Sequence, residues 1–488
     1  MIEKLVVLFK QSLLYAIGSF AAPLTAIFMV PIYTRIFAPE DYGVIDLIQI
    51  TITFTVVFLI MGIDNATGRF YPDPENEQDK KVIASTSLFY LASVLFIGSM
   101  LVISFAEEIS LLLFDTGIQG QYFMLAISAA LLTQCSTLCL NLLKYNFRPI
   151  PHTVISVARI LVNVSLAILL VVALRWGIAG VFGAVLITSG VFLVISLIFT
   201  RRYFSFSFST GRLKELLVYG IPLVPYGFTV YLIQYCDRYF LLHFSTLDQV
   251  GLYGVGARLA LLISFLFLGT GAAFGPFLIS SYRESDTKLV YRKFVDYSVA
   301  VTFLAVVGLS IFPKEILMIF TTSEYLGAYK VVPFLTAYVA FYYLGLLMSY
   351  GIQIAKKTKY FTLISIITAA VNIGLNYLLV PLYGMVGAAS ATLACSVVWC
   401  ILLVYTSQRY YYVDYNYASY FKVGLVAVSL MLAVYYLLPE VSWQNIPVKI
   451  GLMIISLACV YLFGLIGKPE LSYLKSQLSR IRRPRLGR

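Results

Sequence analysis

Histidine is almost absent from this chain: His152 and His243 are the only two in 488 residues. In the topology derived below they fall near opposite membrane faces, so neither a metal site nor a Ser/His nucleophile pair can be assembled from them. The six cysteines, Cys135, Cys139, Cys236, Cys395, Cys400 and Cys459, sit in apolar segments without CxxC spacing. They read as packing residues. No GxxxxGK[ST] loop occurs, which excludes ATP hydrolysis by that route. These absences argue against an enzyme and against a resident metal or cofactor.

Charge is scarce too. Only 12% of residues are charged and 60% are hydrophobic, whereas soluble domains carry about a quarter charged residues. Apolar runs long enough to cross about 30 Å of hydrocarbon recur along the whole length, and each must be helical because lipid offers no partner to an unpaired backbone group. The composition therefore predicts an all-α polytopic membrane protein. Fourteen spans are expected, near 11–34, 43–63, 83–105, 121–142, 152–174, 178–200, 216–242, 251–275, 295–312, 331–353, 360–380, 384–406, 423–438 and 448–467.

The first span follows Lys4 and Lys10, as a signal peptide would. Its apolar stretch exceeds the roughly 7 to 15 residues of such a peptide, so it reads as an uncleaved helix. Tyr360 to Gln408 carries no charge, which is too long for one crossing, and Pro381-Leu-Tyr-Gly384 divides it in two.

Lysine and arginine test the count, because they concentrate on the cytoplasmic side. With the N-terminus inside, 27 of the 35 fall in inner segments, five in outer segments and three within spans. Both termini are then cytoplasmic. The net charge of +12 and the tail from Arg480 to Arg488 face anionic lipid headgroups rather than nucleic acid.

An internal repeat is visible. Pro23 and Arg35 answer to Pro225 and Arg238 at offsets of 202 and 203; Tyr42-Gly43-Val44 answers to Tyr253-Gly254-Val255 at 211; Gly177 and Gly180 answer to Gly384 and Gly387 at 207. Arg148 and Asn163 match Lys357 and Asn372 at 209. The unit is six helices, an even number, which predicts a parallel repeat with a pathway at its interface. The expected organisation is a lobe at 1–200, a linker at 201–215, a second lobe at 216–408, two appended helices at 409–467 and a basic tail at 468–488. Pro23, Pro222 and Pro225 interrupt the leading helices of the lobes and are candidates for gating kinks, the alternative being static bends.

Positive charge inside the membrane is the main candidate for function. Arg159 and Arg258 lie about two turns into the fifth and eighth spans, while Arg238 and Arg35 lie toward the outer ends of the seventh and first. A guanidinium in hydrocarbon faces a cavity or a partner, and it suits phosphate oxygens. The four form a candidate cationic cavity for an anionic substrate. For Arg35 and Arg238 the alternatives are snorkelling or, for Arg238, pairing with Asp237.

Asp46 and Asp64, near opposite ends of the second span, are candidate coupling carboxylates. Tyr338, Tyr342, Tyr343 and Tyr350 are read as core before sugar contacts, and Tyr410 to Tyr417 as an interfacial belt. Gln49, Gln134, Gln234, Asn163, Asn372 and Asn376 are read as interhelical glue.

Three stretches carry a resemblance: Pro31-Ile-Tyr-Thr-Arg35, the turn Ala38-Pro-Glu-Asp-Tyr-Gly-Val44, and Asn372 to Asn376 running into Pro381-Leu-Tyr-Gly-Met-Val-Gly-Ala388. Over nearly its whole length the chain resembles the O-antigen and capsule polysaccharide flippases of the multidrug/oligosaccharidyl-lipid/polysaccharide exporter superfamily.

The resemblance implies transfer of an undecaprenyl-pyrophosphate-linked oligosaccharide from the inner to the outer leaflet of a bacterial inner membrane. A polymerase or ligase would act next, and a monomer is expected. Lipid II flippases and multidrug/cation antiporters share the fold and are the alternatives, and a scaffold of a synthase complex is a third.

Overall fold

A computed structural model describes residues 25, 27–284, 286–437 and 445–465. Pro23, most of the expected span 11–34 and the basic tail lie outside the described residues. Among the described residues all regular structure is helical, from α1 (Pro39–Ile60), α2 (Ile63–Phe70), α3 (Glu77–Ser104), α4 (Ala106–Phe114) and α5 (Gly120–Tyr145) to α6 (Pro149–Ala167), α7 (Gly177–Thr200), α8 (Thr210–Gly220) and α9 (Val224–Phe244). There follow α10 (Leu247–Ala260), α11 (Phe265–Ser281), α12 (Thr287–Ile311), α13 (Pro313–Phe320), α14 (Val332–Leu347), α15 (Tyr350–Ile354), α16 (Lys359–Tyr410), α17 (Tyr417–Leu437) and α18 (Ile446–Leu462).

Eleven helices among the described residues are long and apolar enough to cross a membrane. The chain is a multi-pass membrane protein. Eleven is fewer than the expected fourteen for three reasons. The span at 11–34 lies mostly outside the described residues, α18 is shorter at 17 residues, and α16 counts once although it turns back on itself.

A straight helix of α16's 52 residues would be about 78 Å long, more than twice the hydrocarbon thickness. Gly384 instead takes φ 54 and ψ −131, a conformation open to glycine because it has no Cβ. The Cys395 thiol then reaches the Thr368 carbonyl at 3.4 Å, a pair that a straight helix would hold about 40 Å apart. The chain therefore reverses at Gly384, where the sequence placed the break.

Close approach of the arms requires a second glycine. A Cβ on Gly387 would lie 2.2 Å from the Leu379 carbonyl oxygen. The repeat partner has similar geometry: Gly177 has φ +58, and a Cβ on Gly180 would lie 3.2 Å from the Leu170 carbonyl oxygen. We expect Gly387→Ala to lower the melting temperature of the purified protein, at about 1–3 kcal/mol of overpacking. Gly374→Ala, with nothing within 4 Å of its Cβ, should not lower it.

Two compact units divide the chain. One comprises Met1–Arg258, Phe320–Ala328 and Phe361–Cys395, the other Leu259–Ile319, Tyr329–Tyr360 and Ser396–Arg488. In the second, the buried Lys449 ammonium of α18 bonds Glu315 of α13 at 2.5 Å, and Tyr420 of α17 donates to Asp296 of α12 at 2.6 Å. These contacts tie the last two helices to α12 and α13.

In the first unit α1 is fixed at both ends by glycines. A Cβ on Gly43 would lie 2.5 Å from the Leu247 carbonyl oxygen, and one on Gly251 would lie 1.9 Å from that of Pro39. The contact is reciprocal, pairing Gly43 with Gly251 and Pro39 with Leu247 at an offset of 208. The Tyr-Gly-Val match at 211 is thus three residues out of this register. The reason is loop length: five residues, 34–38, precede α1, and two, 245–246, precede α10.

At its other end α1 stops because Met61 and Gly62 are left-handed, with φ 50 and 69. There Gly62 and Gly220 meet, each Cβ position lying 2.5–2.6 Å from a carbonyl oxygen of the other segment. The second span accordingly ends at Ile60, and Asp64 belongs to α2.

Candidate functional site

Asp46, Asp237 and Arg238 are buried together in the first unit, with Arg258 partly buried beside them. Asp46, in the second turn of α1, receives a hydrogen bond from the Arg258 Nη2 of α10 at 3.1 Å. Its other oxygen faces the Arg238 Nε of α9 at 3.5 Å, too misaligned for a hydrogen bond. Arg238 is held more firmly by Asp237, whose Oδ1 accepts from Nη1 at 2.8 Å. The Tyr253 hydroxyl and the Thr392 hydroxyl donate to Asp237 Oδ2, the latter at 3.2 Å.

Aromatic faces complete the setting. Arg238 lies over the Tyr253 ring at 4.7 Å and Arg258 over the Tyr42 ring at 4.6 Å. Formal charge within the cluster is zero, which is how a membrane protein keeps guanidinium groups out of water without leaving one uncompensated.

Next to this cluster lies a cavity of about 870 Å³, within the size range of small-molecule sites. Its polar lining is mostly neutral: Gln49 and Thr53 of α1, Asn65 of α2, Thr133 and Gln134 of α5, and Tyr231 of α9. Gln49 joins cavity to cluster, because Arg258 also reaches its Oε1 at 3.4 Å. Asp64 is the charged residue in the lining.

The sequence-predicted residues thus separate. Arg238 and Arg258 converge on Asp46. Arg159 stands apart on α6 and donates to the Thr133 hydroxyl at 3.1 Å, one residue deep from the cavity wall. Arg35 is exposed and caps its own helix through the Pro31 carbonyl at 2.8 Å. Pro222 and Pro225 lie where α8 passes through a short 3-10 turn into α9, and Pro23 falls outside the described residues.

Gln134, read from sequence as interhelical glue, faces the cavity, while Gln49 does both, lining the cavity and accepting from Arg258 of α10. Amides at one face of a helix look the same in sequence whether the facing surface is protein or a void. Tyr42, Tyr253 and Thr392 are not among the site residues expected from sequence: the repeated Tyr-Gly-Val marks the first two only as landmarks, and nothing in its local sequence marks Thr392.

A family model described as polysaccharide biosynthesis protein matches residues 32–330. A Haemophilus influenzae "uncharacterized membrane protein" is 23% identical over 339 residues, covering 67% of this chain and 80% of that one. Among solved structures, the "lipid II flippase MurJ, inward closed conformation" superposes with a TM-score of 0.73 at 16% identity, covering 97% of this chain and 100% of that one. An inward-facing multidrug resistance MATE family transporter of the MOP superfamily gives 0.68 at 14% identity, covering 79% and 94%. The chain belongs to the polysaccharide biosynthesis protein family and has the helical fold that MurJ and MATE transporters share.

Proposed function

We propose that this protein flips an undecaprenyl-pyrophosphate-linked oligosaccharide from the inner to the outer leaflet of a bacterial inner membrane. It works by alternating access of two six-helix lobes, 1–200 and 216–408, joined by the linker 201–215, with both termini cytoplasmic. The polymerase or ligase that consumes the product acts after it, and the monomer is the working unit.

The observation that carries this reading is the cavity. Amides, hydroxyls and a tyrosine suit the hydroxyl-rich surface of a sugar, whose chain passes through while the polyprenyl tail stays in lipid. Arg159, whose guanidinium meets no carboxylate among the described residues, is the residue we assign to the pyrophosphate approaching along α5.

In a host whose surface polysaccharide depends on this gene, Arg159→Ala and Gln134→Leu should each cut surface polysaccharide about tenfold. Lipid-linked oligosaccharide should accumulate in the inner leaflet. Normal polysaccharide at normal protein levels in both variants would refute the assignment.

The rival reading, a cation-coupled antiporter, draws on Asp64 in the cavity wall. It requires that Asp64→Asn abolish drug efflux from cells overproducing the protein. The flippase reading expects no efflux to begin with.

A further inference from the structure

The two ends of the cavity are held shut by different means. At the Asp64 end, Gly62 and Gly220 touch through backbone. The ion pair there, Arg212 of α8 with Asp79 of α3, is 3.9 Å long and exposed. Such a pair contributes little. The Gly43 end is sealed three times over. The Gly43 and Gly251 crossing brings α1 against α10, and the buried Tyr325 hydroxyl donates to the Phe37 carbonyl at 2.8 Å. Asp46 of the first repeat is clamped by Arg238 and Arg258 of the second.

We propose that Asp46 is a latch on the cavity's outer end, and that a diphosphate entering the cavity opens it by taking Asp46's place on Arg258. This rests on the flippase reading for the identity of the anion. The geometry suits such an exchange. Arg258 bonds both Asp46 and the cavity residue Gln49 through one nitrogen, so an anion drawn up to Gln49 comes within reach of the same guanidinium.

Arg238 has little to lose when Asp46 departs. Its contact with Asp46 is the long one at 3.5 Å, and it keeps Asp237 at 2.8 Å. Arg258 has no other carboxylate among the described residues. An arriving diphosphate therefore compensates the one cation that opening would strand, and its preference for the unlatched state is what shifts the equilibrium. The opposite end, with its exposed pair, is left free to admit substrate first.

The test uses Thr53→Cys, a cavity-lining reporter, labelled from outside in right-side-out membrane vesicles with a membrane-impermeant maleimide. The protein without the reporter supplies the background. Asp46→Asn should raise the labelling rate about tenfold, a shift of roughly 1.4 kcal/mol. Inorganic pyrophosphate loaded inside the vesicles should raise it in the otherwise native protein but not in Asp46→Asn, already unlatched, nor in Arg258→Gln.

Labelling of Asp46→Asn at the native rate, or an equal pyrophosphate response in Arg258→Gln, would overturn the latch. If Asp46→Asn fails to accumulate, Arg258→Gln replaces it, since it breaks the same pair from the other side, and labelling at the native rate there would be equally decisive against the latch. Because accessibility is read rather than transport, a latch that responds in a host lacking oligosaccharide accumulation would leave this inference standing and sink the flippase reading.

Discussion

Asp237→Ala is expected to abolish accumulation of the folded protein. Asp237 is 1% exposed and accepts four hydrogen bonds, from the Arg238 amide, the Arg238 guanidinium, Tyr253 and Thr392. Removing it leaves the buried Arg238 with the Gln234 carbonyl at 2.7 Å but with no carboxylate nearer than the 3.5 Å contact to Asp46, and Asp46 is already engaged by Arg258. Breaking a buried pair from one side costs about 3–5 kcal/mol, a large share of the roughly 5–15 kcal/mol by which domains are stable.

Two comparisons separate charge from packing. Asp237→Asn keeps an acceptor for Tyr253 and Thr392 and should recover part of the loss. Asp73→Ala removes a partner of Arg69 at 2.6 Å, but both side chains are more than half exposed, so water takes over and little changes. Detergent-extracted yield and melting temperature of the three variants report the order directly. Equal yields for Asp237→Ala and Asp73→Ala would show that the cluster does not hold the fold.

The second large effect is expected at Gly251. A Cβ there would lie 1.9 Å from the Pro39 carbonyl oxygen and 2.8 Å from its carbon, distances that no non-bonded atoms occupy. Both neighbours are main chain, so no side chain can swing aside; α1 and α10 must separate. Overpacking of this kind costs about 1–3 kcal/mol or more.

Gly43→Ala meets the same crossing from the other side, at 2.5 Å from the Leu247 carbonyl oxygen. The double variant should therefore lose less than the sum of the singles, because one separation relieves both. Thermal melts of the two singles and the double check this; strict additivity would mean that the glycines act independently.

Much of the architecture is legible in the sequence. A charge-free run between Tyr360 and Gln408 is too long for one crossing, and Pro381 to Gly384 supplies chain-breaking residues at its middle. The hairpin follows from those two facts. Register was harder. Tyr-Gly-Val recurs by similarity at 211, while packing pairs Gly43 with Gly251, because the turns ahead of α1 and α10 differ in length.

The site was legible as single residues and not as a cluster. Asp46, Arg238 and Arg258 each stand out as charges in apolar sequence. Yet Asp46 and Arg258 are 212 residues apart, and no local pattern encodes their meeting. Treating the arginines as a cationic surplus followed from counting charges along spans. Side-chain geometry adds that two of the four have carboxylates beside them, and that Arg159 reaches the cavity wall through a neutral hydroxyl.

The reversal at Gly384 also bears on how the protein is made. A nascent helix normally leaves a charged loop on one side of the bilayer before the next begins. Here the apex presents Leu382 and Tyr383, 71% and 64% exposed and uncharged, so nothing anchors it in water while the second arm is synthesised. With the backbone satisfied within each arm, the two arms are suited to enter the bilayer together as a helical hairpin. Partitioning is then decided for 52 residues at once, and an arginine placed on either arm would count against the insertion of both.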